Sequence, residues 1–510
     1  MTTATPAKTK AYEELTSLLR DAAVLHSMQA TLAWDQETMM PPGGAPLRAE
    51  QLETLAGMVH SKKTDPRIGE LIAACEDDPE VMGDARRSAN IREIRRDYEL
   101  ATKLPGSLVG ELARASSLGM EAWKEARSKS DFKTFLPWLE KTVELNRRKA
   151  ECYGVPSWGA ELYDALMDEY EPKMTAARTQ EIFRPLREFT VKLVERVKAS
   201  KAPAGVDEVH TAIPIEKQKE FSRRVLEVFG FDFRCGRLDE SAHPFCEGAG
   251  PGDVRLTNRY SEKAWLDQLS SASHEGGHGL YEQGLPKEEY FGQPLGDAIS
   301  LGIHESQSRL WENQIARSRG FWEWAIGVAK DVMGAPVAGM SADQVFRAAN
   351  VVEPSFIRVE ADEVTYNLHI MLRFDLERAM IAGDLRPKDL PGIWNERMKK
   401  DLGLTVPDDR RGCLQDVHWS MGAIGYFATY TFGNLYSAQF WEAMARAIPD
   451  RDDQIRRGEF GAILAWLREH IHSVGRQYSA GELCERVTGK PLASEPLMRH
   501  LEAKVEAVYG

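Results

Sequence analysis

His274, Glu275 and His278 stand in the pattern H-E-x-x-H. In a helix, residues four apart lie about 6 Å apart along the axis and about 40° apart around it, so both imidazoles can face one point. That spacing lets them hold a single metal ion while Glu275 keeps a carboxylate free to work on water. The bland alternative is a solvated helix whose two histidines share a face by accident. A catalytic zinc site needs a third protein ligand and leaves one position for solvent. Glu305, in Gly302-Ile303-His304-Glu305-Ser306, is the favoured candidate, with His304 as the competing ligand or else a buried, hydrogen-bonded histidine. Glu282 lies too near the first helix to reach round easily. Zn2+ is the default ion for two imidazoles and a carboxylate, and Co2+ would also fit. Such a site acidifies water towards neutrality. Glu275 would accept the proton during attack on a carbonyl and pass it to a leaving amine, which defines amide hydrolysis.

The elements that must position these groups read as helices. Between the histidines and Glu305 lie Gly284, Pro286, Gly292 and Pro294, which can end one helix and turn the chain back. A second helix over 297–318 would then carry Glu305 about two turns in. Apolar residues at three- and four-residue steps predict further helices over 11–30, 47–62, 84–102, 137–152, 181–199, 214–228, 343–351, 462–471 and 496–509. One stretch differs: 236–245 and 253–259 read as two strands around the loop Gly248-Ala249-Gly250-Pro251-Gly252, a hairpin signal. The fold class expected is therefore mainly α, with a small antiparallel β-sheet shortly before the metal helix. Ser200–Val206, rich in Ala, Pro and Gly, is the best linker candidate. Gly276 and Gly277 each cost about 1 kcal/mol of helix propensity relative to Ala. They either admit a close neighbour or are accidental.

The chain of 510 residues, 43% apolar and 28% charged, is that of a globular protein with room for one large domain or two to three ordinary ones. A net charge of −13 argues against a nucleic-acid partner. The first ten residues lack the apolar stretch of a secretory signal, and no apolar run has membrane-spanning length. Six scattered cysteines without a C-x-x-C pair fit reduced thiols and a cytoplasmic location. Cys235, Cys246 and His243 match no zinc-finger spacing.

Further motifs give the chain a resemblance to the carboxypeptidase Taq family of metallocarboxypeptidases. Besides H-E-G-G-H and His304-Glu305-Ser306, it carries Asp253-Val254-Arg255-Leu256-Thr257, Ile357-Arg358-Val359-Glu360-Ala361-Asp362 and Gly412-Cys413-Leu414-Gln415-Asp416-Val417-His418-Trp419. These match the family's D-x-R-x-T, I-R-x-x-A-D and G-x-x-Q-D-x-H-W elements, in the family's order. Ala30–Thr38 followed by Met40-Pro41-Pro42-Gly43 also looks like the family. The resemblance implies removal of single C-terminal residues from peptides, with broad specificity, by a homodimer of helical subunits bearing a long groove. It implies one catalytic unit over 1–510, with helices in 1–205 partly covering the groove and 206–510 holding the zinc.

In that role a permanent, two-pronged guanidinium suits a free α-carboxylate: Arg358 is the first choice and Arg255 the second. Their alternatives are internal ion pairs, for instance with Asp362 or Asp253. His418 and Tyr426 are candidates to donate to the developing oxyanion, and Tyr430 could replace them or bind the carboxylate. Gln415 and Asp416 would orient neighbours, and Trp419 would pack. The competing readings are a zinc oligo-endopeptidase or dipeptidase with the same helix, and a non-catalytic helical binding protein stabilised by zinc. Glu275, unnecessary as a ligand, argues against the last.

Overall fold

The computed structural model describes residues 10–201, 203 and 206–510. The linker expected at 200–206 and the N-terminal segment 1–10 fall partly outside that set. Every helix expected from apolar periodicity is present. Several run further than their pattern, such as α1 (Lys10–Thr38). Another begins at Ala176 because Thr175 accepts a hydrogen bond from the Arg178 N–H. One is shorter: Ala342–Ala348, opened by a capping box between Ser341 and Gln344. Among the described residues no helix is long and apolar enough to cross a membrane.

The elements that build the site are α2 (Leu162–Met167), α3 (Trp265–Glu282), α4 (Leu301–Arg309), α5 (Glu363–Ala382) and α6 (Ala428–Ala447). α3 is buried almost all round, with Trp265, Leu269, Ala272, Gly276 and Leu280 against its neighbours. α4 starts later than its sequence pattern suggests, because the chain turns at Pro294–Gly296 and Ser300 becomes the cap. Its first-turn amides are all taken. Leu301 N–H donates to the Tyr170 carbonyl (3.0 Å), Gly302 N–H to Glu171 Oε2 (3.0 Å) and Ile303 N–H to Ser300 Oγ (3.0 Å). Glu171 thus reaches from the N-terminal half to seat the helix that carries Glu305. After Arg309 the helix widens to π geometry over Leu310–Ala316. One large apolar core runs from Ala126 to Val508. A smaller one gathers Tyr12, Leu15, Ile68, Leu71, Ile72 and their neighbours under α1.

The sheet corrects the hairpin expectation. It has three strands, β1 (Gly236–Glu240), β2 (Cys246–Gly250) and β3 (Asp253–Asn258), in the order β1-β3-β2. β2 and β3 pair antiparallel around Pro251-Gly252, with Gly252 at φ +74°. β1 instead pairs parallel to β3, in the register Gly236 with Val254, so the sheet is mixed. Of the small residues read as a loop, Gly248–Gly250 belong to β2, and Gly248 lies against the Glu282 carboxylate, which a Cβ there would force to shift. α1 docks on this sheet through Trp34, whose ring lies 4.8 Å from the Arg237 guanidinium and 4.4 Å from that of Arg255.

Candidate metal centre

α3 presents His274 and His278 on one face, and α4 crosses it closely enough to bring Glu305 beneath them. Glu305 Oε2 is 3.6 Å from His274 Nε2 and 3.3 Å from His278 Nε2. One ligand atom from each of the three residues lies within 4.8 Å of the others. Two imidazole nitrogens and a carboxylate oxygen at that spacing match the donor set and reach of a divalent ion held at about 2.0–2.2 Å.

Two glycines make the crossing possible. A Cβ on Gly277 would meet Gln307 O at 2.5 Å and Ser308 Cα at 2.6 Å, both backbone atoms of α4. On the other side, a Cβ on Gly433 of α6 would sit 2.6 Å from Glu305 Cβ. The helix bearing Glu305 is therefore clamped between two glycine-lined surfaces, so Gly277 provides close approach. Gly277→Ala should lower the melting temperature, because overpacking a rigid contact costs about 1–3 kcal/mol. Thermal denaturation of the metal-free protein checks this; an unchanged midpoint would mean the helices part freely.

Each histidine has a partner behind it. His274 Nδ1 lies 2.9 Å from Glu312 Oε2, on the π segment. His278 Nδ1 lies 2.6 Å from His304 Nδ1, and His304 Nε2 lies 2.8 Å from Glu282 Oε1, which also pairs with Lys287. His304 is thus a backing residue in this geometry, with both its nitrogens engaged away from the ligand cluster. An anionic Glu282 accepts the His304 Nε2–H, leaving His304 Nδ1 to accept from His278 Nδ1–H and freeing His278 Nε2 as a lone pair. Glu305 is steadied by Arg309 Nε on Oε1 (2.6 Å) and Ser308 Oγ on Oε2 (3.1 Å). Arg309 also donates to Glu312 (3.2 Å). Glu312, Arg309 and the Glu282–Lys287 pair did not emerge from sequence reasoning. The one signal was the seven-residue step from Glu305 to Glu312, two turns along a helix.

The electrostatics separate the carboxylates by role. Burial would raise Glu305, but Arg309, His274 and His278 outweigh it and hold its carboxyl well below the ordinary range. Glu312 is drawn down to about 2: burial opposes this, and Arg309 and Arg317 prevail. Glu275 goes the other way, pushed up to about 7 chiefly by burial. His278 is pushed down to about 4 by burial and then by His304, which keeps its imidazole neutral and able to ligate.

The remaining candidates divide. Arg358 is buried and donates from Nε to Asp416 Oδ1 (2.9 Å) and from Nη1 to Tyr366 Oη (3.1 Å). Its ion pair is with Asp416; Asp362 instead caps α5, accepting from Val364 and Thr365 N–H. Arg373 shares Asp416 (2.7 Å), and Gln415 Oε1 accepts from both Arg358 N–H and Arg373 Nη2–H (2.8 Å each). Tyr366 links this cluster to the centre, since the Arg309 guanidinium lies 4.5 Å from its ring. Arg358 also lies 5.0 Å from the Tyr430 ring, whose hydroxyl is 3.2 Å from His418 Nε2. The Tyr426 ring is 5.3 Å from that of His418 and 5.4 Å from that of Tyr430. Arg255 stands apart: it pairs with Asp253 (2.8 and 2.7 Å) on the sheet and stacks on Trp34.

A helix-borne histidine pair, a carboxylate from a crossing helix and a spare buried glutamate define a helical metallopeptidase site. The chain belongs to the carboxypeptidase Taq (M32) metallopeptidase family, whose pattern it matches over residues 14–505, and is a metallocarboxypeptidase by that membership. It is 44% identical to thermostable carboxypeptidase 1 of Thermus thermophilus over 98% of this chain and 99% of that protein. Identity to carboxypeptidase 1 of Bacillus subtilis is 36%, over 98% of each. Among solved structures, the M32 carboxypeptidase of Deinococcus radiodurans superposes with a TM-score of 0.95 at 39% identity, covering 98% of this chain and all of that one. Metallocarboxypeptidase 1 of Trypanosoma cruzi superposes at 0.92 and 36% identity, covering 97% of this chain and 99% of the other.

Proposed function

We propose a zinc-dependent carboxypeptidase that releases single residues from the C-terminus of peptides with broad specificity, Co2+ being an acceptable substitute. The observation that carries this is the convergence of His274, His278 and Glu305, with the buried carboxylate of Glu275 adjoining them in the helix and outside the ligand set. A divalent ion there supplies Lewis acidity, polarising a carbonyl and acidifying water. Glu275 takes the water's proton on its carboxylate and returns it to the leaving amine. His418, kept neutral because burial and then Arg358 push it down to about 4, donates its N–H towards the developing oxyanion together with Tyr426. Arg358 binds the substrate's α-carboxylate, with Tyr430 beside it; Arg255 is the second candidate. The protein acts as a single catalytic unit, dimeric and cytoplasmic, with the 1–205 helices partly covering the groove.

The test is a timed digest of mixed peptides read by mass spectrometry. Stepwise loss of C-terminal residues, abolished by a chelator and by amidating the terminal carboxyl, is expected. Equal cleavage of amidated peptides would favour an oligopeptidase. For the clamp, Arg358→Ala should lower kcat/KM on free-carboxylate peptides by about 10- to 100-fold, the worth of charged hydrogen bonds. Folding should suffer less, because Asp416 keeps Arg373 and is not left as an unpaired buried charge. A large melting loss with an unchanged KM would contradict the clamp.

A further inference from the structure

The stretch from His418 to Tyr426 has little regular structure to hold it. It makes one short 3-10 turn, His418–Met421, and then passes through two left-handed glycines, Gly422 (φ +82°) and Gly425 (φ +93°). Both of its ends rest on one side chain. Glu377, on α5, is fully buried. Its Oε1 accepts from the Trp419 indole N–H (2.7 Å), and its Oε2 accepts from the Gly425 backbone N–H (3.0 Å) and the Tyr163 hydroxyl (2.8 Å). Trp419 directly follows His418, and Gly425 directly precedes Tyr426. The seat is tight as well as polar: a Cβ on Gly425 would lie 2.8 Å from the carbonyl carbon and oxygen of Leu166, on α2. Trp419 is pinned edge-on against Trp394, with ring centres 6.1 Å apart.

We propose that Glu377 is a positioning residue that sets His418 and Tyr426 at the reacting carbonyl by holding the residue next to each. Its hydrogen bonds go to Trp419, Gly425 and Tyr163 and to none of the three candidate metal ligands, so it acts through the residues it holds. The inference rests on the reading of His418 and Tyr426 as oxyanion donors. A carboxylate is the group the position requires. Three donors converge on it, and in its ionised form, which these bonds favour against the burial that pushes its carboxyl up to about 7, it offers acceptors only. A glutamine amide would turn its NH2 against one of them, and alanine would leave an indole N–H and a backbone N–H unmet. Burying a carboxylate is costly unless such bonds offset it, so its placement under this stretch needs a reason. Placement of catalytic donors supplies one, since a misplacement of about 1 Å can cost about 100-fold in rate.

The experiment compares Glu377→Gln, Tyr426→Phe, His418→Ala and the double variant Glu377→Gln/Tyr426→Phe. For each, kcat, KM, bound metal per chain and melting temperature are measured. Glu377→Gln should lower kcat per metal-loaded chain by about 10-fold or more, with KM and metal content within about twofold. Added to Tyr426→Phe it should lower kcat by a smaller factor than it does alone, because only the part that acts through His418 remains. A Glu377→Gln protein that melts earlier but keeps its kcat per loaded chain is merely less stable and overturns the inference. Effects that multiply in the double variant overturn it too. If Glu377→Gln does not fold, Trp419→Phe removes one of the three bonds and keeps an aromatic ring. A loss of kcat there supports the role, and an unchanged kcat overturns it. Full kcat in both Tyr426→Phe and His418→Ala would sink the donor assignment itself. Donors that matter beside an indifferent Glu377→Gln sink only the positioning role.

Discussion

Glu275→Gln is expected to lower kcat by about 100-fold or more while the metal stays bound. Glutamine keeps the volume and one oxygen but cannot accept a proton from water and carry it. Glu275 is not needed to complete the ligand set, which His274, His278 and Glu305 supply. Its carboxylate makes no hydrogen bond to a described residue, so the substitution breaks no such bond that would unfold the site. Burial lifts the carboxyl to about 7. Metal content by mass spectrometry and kcat on a free-carboxylate peptide read the two halves of the expectation separately. An unchanged kcat removes Glu275 from the reaction. A protein that binds metal and turns over no peptide even before substitution would return the zinc-stabilised binding protein to consideration.

The parts of this site legible in the sequence are those governed by local geometry. The four-residue step from His274 to His278 needs only the helical repeat, and Gly284, Pro286, Gly292 and Pro294 mark where the chain must turn before Glu305. The partners behind the ligands were hidden for a physical reason. Glu312 reaches His274 from a π segment, a departure from the helical repeat that no apolar pattern announces. Arg358 pairs with Asp416, 58 positions away, and spacing cannot choose between that acid and the nearer Asp362, which is occupied in capping α5. The sheet failed similarly. Turn residues at Gly248–Gly252 signalled a reversal before β3, but the strand that turns there is β2 and not the upstream strand expected, and nothing in the loop marks β1 as the parallel partner of β3. Glycine was the most ambiguous letter: at Gly277, where close approach and accident were equally open, it marks a helix crossing, and at Gly248, read as a loop, it marks a strand lying on a carboxylate.

Glu305→Ala should abolish metal binding, whereas His304→Ala should weaken it by about 10- to 100-fold and leave the site loaded at saturating zinc. The two residues are adjacent, yet the geometry gives them different work. Glu305 Oε2 faces both imidazole Nε2 atoms, while His304 turns its ring between His278 Nδ1 and Glu282. Loss of Glu305 removes the only anionic ligand of the three. Loss of His304 removes a hydrogen bond that fixes how His278 presents its lone pair, and the ligand remains. Glu305→Ala also leaves Arg309 deep in the protein with Glu312 as its remaining carboxylate, so the metal-free variant should melt earlier as well. Glu305→Gln keeps the volume and an oxygen for Arg309, which separates lost folding from lost ligation. Zinc titration against a chelating indicator reads all three variants. Metal retained by Glu305→Ala and lost by His304→Ala would exchange the two assignments, and the tautomer argument for His278 would fall with it, because His304 Nδ1 cannot both accept from His278 and face the ion.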